Sequence, residues 1–213
     1  MSAPRPRGRA RKLFIRAKGL MLAHPEPKPL EAAVLALDAA KCTGAALYLR
    51  GKLAGYDEVQ ARESSARRAL LREAMHAAEV RALPLVLVVE APFGGYASAA
   101  LSLTATVALW RDSWLALSQP KTHFIEIQVG QWRSKLFGRR ALSRTQARAW
   151  EQRVAMSQVL RDFGERVQPK PIGPDAAAAI CMGIVATRSS GIRAAIGCEL
   201  IVTRTKRKET VTA

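Results

Sequence analysis

Val34-Leu35-Ala36-Leu37-Asp38 is an apolar run that ends in a carboxylate and opens into the small residues Ala39-Ala40-Lys41-Cys42-Thr43-Gly44. Five residues of this kind bounded by a small-residue turn read as a buried strand. A second run, Leu85-Val86-Leu87-Val88-Val89, also ends in an acid, Glu90. Glutamate has poor strand propensity and needs a reason to close a Val/Leu run. Burying a charge there is costly unless it meets a cation or a donor. Two such strands suggest that their acids face each other, held ionised by a divalent metal.

The elements around these strands follow in a legible order. Strands are expected at 34–38, 45–49 and 53–59, with Arg50-Gly51-Lys52 as a hairpin turn between the last two. A helix over 67–81, a buried strand at 85–90 and a long apolar helix over 97–117 come next. A strand at 124–128, a helical turn at 131–137, a helix over 143–163, a Pro/Gly loop at 166–174 and a helix over 175–188 complete the order. The fold class is α/β. Three antiparallel strands, then parallel strands, form a mixed sheet covered by helices. There is no internal repeat and no second domain.

The ends differ from the middle. Residues 1–30 form a basic N-terminal arm, with a short helix expected over 11–22 and a Pro-rich exit at 24–29 that neither helix nor central strand accommodates. The folded domain is expected over 31–190, followed by a basic extension over 191–213. Across its 213 residues the chain carries 34 Lys and Arg against 17 Asp and Glu, a net charge of +17. That excess points to a polyanionic partner, nucleic acid first. The three cysteines, Cys42, Cys181 and Cys198, have no C-x-x-C spacing, which argues against zinc and against a disulfide framework. No stretch is apolar and long enough to span a bilayer, and a membrane partner is not expected. The acid-free, Arg-rich start reads as a DNA-contacting arm, with an organelle transit peptide as the competing reading.

Asp175 joins Asp38 and Glu90 as a candidate. It follows Pro171-Ile172-Gly173-Pro174 and opens an Ala-rich helix. An Asp at that place is also a good N-cap, and Asp38 alone is also a good turn residue. Together the three suit Mg2+, with Mn2+ as substitute. Two ions per site would supply an attacking hydroxide and stabilise the leaving 3′ oxygen of a phosphodiester. Hard carboxylate oxygens favour these ions over zinc. Phosphate contacts are expected from Lys41, Arg133, Lys135, Arg139, Arg140, Arg144, Arg148 and Lys170, with Arg153 in the same cluster and the arm and tail adding non-specific affinity. Phe93, in the loop after Glu90, is a candidate to stack on or wedge into unpaired bases. Trp110, Trp114 and Trp150 read as core or dimer contacts.

These motifs resemble the RuvC Holliday-junction resolvases of the RNase H-like superfamily over roughly 34–188. Leu37-Asp38 with Thr43-Gly44-Ala45 resembles their first acidic strand and the turn after it. Val89-Glu90-Ala91-Pro92-Phe93 resembles the second acidic strand, and 99–109 the helix that follows. Phe124-Ile125-Glu126 through Gln131-Trp132-Arg133-Ser134-Lys135-Leu136-Phe137-Gly138 resembles the segment leading to the penultimate helix. Pro174-Asp175-Ala176-Ala177-Ala178 resembles the start of the last acidic helix. The resemblance implies a magnesium-dependent endodeoxyribonuclease that resolves four-way or branched DNA, leaves 5′-phosphate and 3′-hydroxyl ends, and works as a C2 homodimer. The helix over 97–117 is the candidate dimer face. The chain departs from the pattern at Ala178, where the family carries a further acid. A junction-binding protein with little or no nuclease activity is therefore the second reading. An actin-like ATPase or kinase fragment, suggested by Asp38 and Thr43-Gly44 before a hairpin, is the third. The expected compartment is the cytoplasm of a bacterial or phage-infected cell, with an organelle left open by the basic start.

Overall fold

The computed structural model describes residues 28–92, 97–117, 122–138, 142–164, 172–194 and 196. The elements are β1 (Ala33–Asp38), β2 (Cys42–Leu49), β3 (Lys52–Gln60), α1 (Ser64–Glu79), β4 (Leu85–Glu90), α2 (Ala97–Leu115), β5 (Thr122–Ile127), α3 (Val129–Phe137), α4 (Arg144–Phe163) and α5 (Pro174–Thr187). The strands make one five-stranded sheet in the order β3-β2-β1-β4-β5. β1 pairs antiparallel with β2, and β2 with β3. β4 lies parallel to β1, and β5 parallel to β4. This is the expected α/β mixed sheet.

β1 and β4 sit inside the sheet with helices over both faces, which is why their sequences are apolar without alternation. The pleat nonetheless sorts their side chains. Val34, Ala36, Val86 and Val88 face a core built with α3, α4 and α5, including Trp132, Phe137, Ala155, Val159 and Met182. Leu35, Leu37, Leu87 and Val89 face a second core with Leu71 and Ala74 of α1 and Val107, Trp110 and Trp114 of α2. The tryptophans of α2 are thus core residues, and Trp150 of α4 packs partly buried beside Phe137, ring centroids 6.2 Å apart. The β2–β3 hairpin turns through Arg50 and Gly51, both at positive φ (51° and 78°), as a two-residue loop matched to strand twist requires.

The structure differs from the sequence reading at the start of β2. Only Ala39, Ala40 and Lys41 turn, and the strand already runs at Cys42. The pairing with β1 ends at Asp38 and Gly44, and β3 carries the ladder on, with Thr43 opposite Val59 and Cys42 opposite Gln60. Thr43 is fixed by its own bonds, its hydroxyl donating to the Ala40 carbonyl (2.9 Å) and accepting from Trp110 Nε1 (3.2 Å). α1 starts three residues before the expected position. Arg67, expected to open it, is buried and donates to Ser113 Oγ (3.0 Å) and the Ala61 carbonyl. Leu30 is buried and its N–H donates to the Thr187 carbonyl (2.9 Å), while Ile192 packs into the α5-side core. No helix among the described residues is long and apolar enough to cross a membrane. The arm helix over 11–22, most of the 166–174 loop and the C-terminal tail lie outside the described residues.

Candidate functional site

The register of four strands lays polar groups in one row across the α5 side of the sheet. Leu37 pairs with Val89, so Glu90 stands beside Asp38 on adjacent parallel strands. Asp38 pairs with Gly44, and Gly44 with Glu58 of β3. Paired residues of neighbouring strands share a face, and strands lie about 4.8 Å apart. The row therefore reads Glu90, Asp38, Gly44, Glu58.

The gap at Gly44 is where α5 lands. A Cβ on Gly44 would overlap the carbonyl of Asp175 and the N–H of Ala176, so only glycine lets the first turn of α5 sit on the strand. Asp175 is the second residue of α5, not its cap: the N-cap is Gly173, with Pro174 at the first helical position. Docking over Gly44 sets Asp175 between Asp38 and Glu58.

Electrostatics tie the group together. Burial pushes the Asp38 carboxyl well above the usual carboxylate range, and the neighbouring charges of Glu90, Asp175 and Glu151 push it further, against a partial offset from Arg133. Glu90 is also raised, by burial first, with Trp132 and Arg133 opposing. Asp175 is raised by burial and by Glu58, with Arg148 opposing. Asp38, Glu90 and Asp175 are each half-buried. As placed, no three Asp, Glu, His or Cys side chains among the described residues stand close enough to hold one metal ion between them. The acids share a field but not a single coordination sphere.

Three contributors were not legible in the sequence. Trp132 of α3 donates its indole N–H to Glu90 Oε2 (2.9 Å) and fixes that carboxylate. Glu151 of α4 is buried, with its side chain 2% exposed, and accepts from Arg133 Nε at 2.7 Å. Burial raises its pKa as well, with Arg133 and Arg148 opposing. Its signal was available in hindsight: Ala147, Glu151 and Ala155 recur at four-residue spacing on the buried stripe of α4. The third is Glu58, whose Oε1 accepts from the Ala176 N–H (3.1 Å). Ala178, one turn on from Asp175, is buried in the α5-side core.

The basic candidates separate. Arg133 is turned inward, stacked on the Trp132 ring (5.1 Å to the centroid) and bonded to Glu151. Arg148 is exposed on α4, and its charge acts on both Asp175 and Glu151. Lys41 is exposed in the turn after Asp38, and Lys135, Arg144 and Arg153 are exposed on α3 and α4. Phe93, Arg139, Arg140 and Lys170 lie outside the described residues. Cys42 Sγ lies 4.0 Å from Glu58 Oε2, and burial pushes the thiol of Cys181 up, leaving it an inert core group.

No protein-family model and no curated protein matches the chain. Solved structures do. RuvC of T. thermophilus in complex with Holliday junction substrate is 15% identical, with 78% of this chain and 96% of that one covered at a TM-score of 0.51. A second Thermus thermophilus RuvC structure is 16% identical over the same shares, at 0.47. The yeast mitochondrial Holliday junction resolvase Ydc2 is 14% identical, covering 76% of this chain and 81% of its own, at 0.40. With the strand order, the pairing directions and the first of these matches in hand, the fold of this chain is that of RuvC, an RNase H-like mixed sheet flanked by helices.

Proposed function

We propose that this chain is a structure-selective endodeoxyribonuclease that hydrolyses phosphodiesters of four-way or branched DNA with Mg2+ or Mn2+. The observation that carries the reading is the position of Asp38. It is flanked on one side by Glu90 and on the other by Asp175, and all three carboxyls are raised by burial and by acidic neighbours. A half-buried row of acids whose nearest cations only partly offset them is short of positive charge, and a hard divalent ion is the partner that suits carboxylate oxygens. Asp38, Glu90 and Asp175 are the residues that would hold such ions. When bound, such ions supply a water-derived nucleophile and stabilise the leaving oxygen.

The protein's own groups have definable tasks. Trp132 holds Glu90 Oε2 by its N–H and so sets the direction of that carboxylate. Arg148 and Lys41, both exposed, would meet phosphates, and the +17 charge would supply salt-sensitive affinity for the rest of the duplex. The fold match to a RuvC solved with a Holliday junction supports four-way DNA as the substrate. Paired nicks across a junction call for a homodimer. α2 supplies its surface: Leu101 and Leu115 are 71% and 66% exposed, and Ala105 and Ala108 between them are exposed as well.

A second reading is a junction-binding protein that does not cleave. It is favoured by two observations: Ala178 stands where an acid is expected, and the Arg133 guanidinium already acts on Asp38. One experiment separates the two. A synthetic four-way junction is incubated with the full chain and Mg2+ or Mn2+, with Asp38→Asn as control. Symmetric nicks with 5′-phosphate ends, absent in the variant, are expected. Tight binding with no metal-dependent nicks selects the second reading.

A further inference from the structure

α5 begins without a cap of its own. Its N-cap is Gly173, which has no side chain to accept from the orphan N–H groups of the first turn. The acceptor arrives from β3, at the far edge of the sheet. Glu58 Oε1 accepts from the N–H of Ala176, the third helical residue, at 3.1 Å, across 118 positions of sequence. Space for this carboxylate exists because Gly173 is glycine: a Cβ there would overlap the Glu58 carboxyl group. The same turn carries Asp175 and rests on Gly44, one strand from Glu58 and one strand from Asp38. The first turn of α5 is thus pinned at two places, by contact below and by a remote cap at its side.

We infer that Glu58 is a positioning residue of the acidic site: its carboxylate caps α5 from the neighbouring strand and so holds Asp175 in register with Asp38. The inference rests on the metal-dependent reading above and assigns one determinant of its metal affinity. Glu58 does not itself contact the reacting atoms. An ordinary edge-strand acid would only discourage strand pairing, and any charge at that position would serve. A cap needs an acceptor oxygen, charged or not.

The experiment titrates Mn2+ into the full chain without DNA, following free Mn2+ by electron paramagnetic resonance, for wild type, Glu58→Ala and Glu58→Gln. Melting temperatures and metal-free junction affinity are measured alongside. Glu58→Ala is expected to weaken Mn2+ binding about tenfold, the scale of losing a partner that orients a metal ligand, with junction affinity unchanged. Glu58→Gln keeps the acceptor and is expected to restore binding to near the wild-type value. Wild-type Mn2+ affinity in Glu58→Ala overturns the inference alone, as does Glu58→Gln binding as weakly as Glu58→Ala. A wild-type chain that binds no Mn2+ overturns the metal reading and this inference with it.

Discussion

The two faces of the sheet are built from alternate residues of the same strands, yet they solve burial in opposite ways. On the α1/α2 face, Leu35, Leu37, Leu87 and Val89 meet Leu71, Trp110 and Trp114, and the buried polar groups are closed off by short bonds such as Trp110 to Thr43 and Arg67 to Ser113. The carboxylate at the end of that face, Glu126 of β5, is exposed and paired with Arg111 of α2. On the α3–α5 face, Asp38, Glu90 and Asp175 are half-buried beside Glu151, with Arg133 as the inward-turned cation. The first face shows that the sheet closes well without buried carboxylates. The acids on the second are not demanded by closure of the sheet, which is in keeping with the role proposed for them above.

The strongest way to break this contrast is to neutralise one acid on each face. Glu90 and Glu126 sit at the ends of adjacent paired strands. Glu90→Gln is expected to lower metal-dependent junction cleavage by on the order of 10²–10³-fold, as for loss of one electrostatic group at a reacting centre. Glu126→Gln is expected to leave it unchanged. Equal effects in a cleavage assay would erase the distinction between the faces.

Next in size is the buried pair. Arg133→Ala leaves the Glu151 carboxylate buried without its cation, a change that costs about 3 kcal/mol, at the low end for buried pairs because the Arg133 side chain is 36% exposed. Chemical denaturation measures it, and adding Glu151→Gln to Arg133→Ala should recover most of the loss. Recovery of nothing would mean that the two side chains are not coupled.

The pH dependence is smaller and has a definite sign. Asp38, Glu90, Asp175 and Glu151 all have raised native pKa values. The stability contributed by their protonated forms is complete below about pH 4, the ordinary carboxylate value, and is lost as pH rises through the raised native values. Without metal, the melting temperature of the wild type should fall relative to Asp38→Asn as pH rises above about 4. Parallel curves would show that Asp38 is not raised. Mg2+ should reverse the slope. The smallest expected effect belongs to the other face: Arg111→Ala, a surface pair, should change stability by less than about 1 kcal/mol.

Much of the fold was legible because it depends on short-range pattern. Unbroken apolar runs gave β1 and β4, and Arg50-Gly51 gave the hairpin. Asp38 and Glu90 stood out because a carboxylate ends each buried run. The start of β2 was misread because small residues signal a turn as readily as close packing. Thr43 and Gly44 are small for the second reason, one bonded under Trp110 and the other covered by α5. Glu58 and Glu151 end no apolar run, so nothing local separates them from ordinary acids of a strand and a helix; their partners, Ala176 and Arg133, lie 118 and 18 residues away. Trp132 is a core residue whose N–H partner, Glu90, lies 42 residues away, beyond the reach of any local pattern.

Sequence alone determined the order and type of the elements, the basic character of the chain and the three acids worth testing. Periodicity and charge are local properties of a chain, and they survive without knowledge of what lies across from them. Only the tertiary structure decided which carboxylates share one field. That choice depends on strand register, which aligns Glu90, Asp38, Gly44 and Glu58, and on the missing side chain at Gly44, which lets α5 carry Asp175 into the row. Coulomb interactions fall with distance in space, not along the chain, so the site exists only once the sheet is assembled and the last helix has docked.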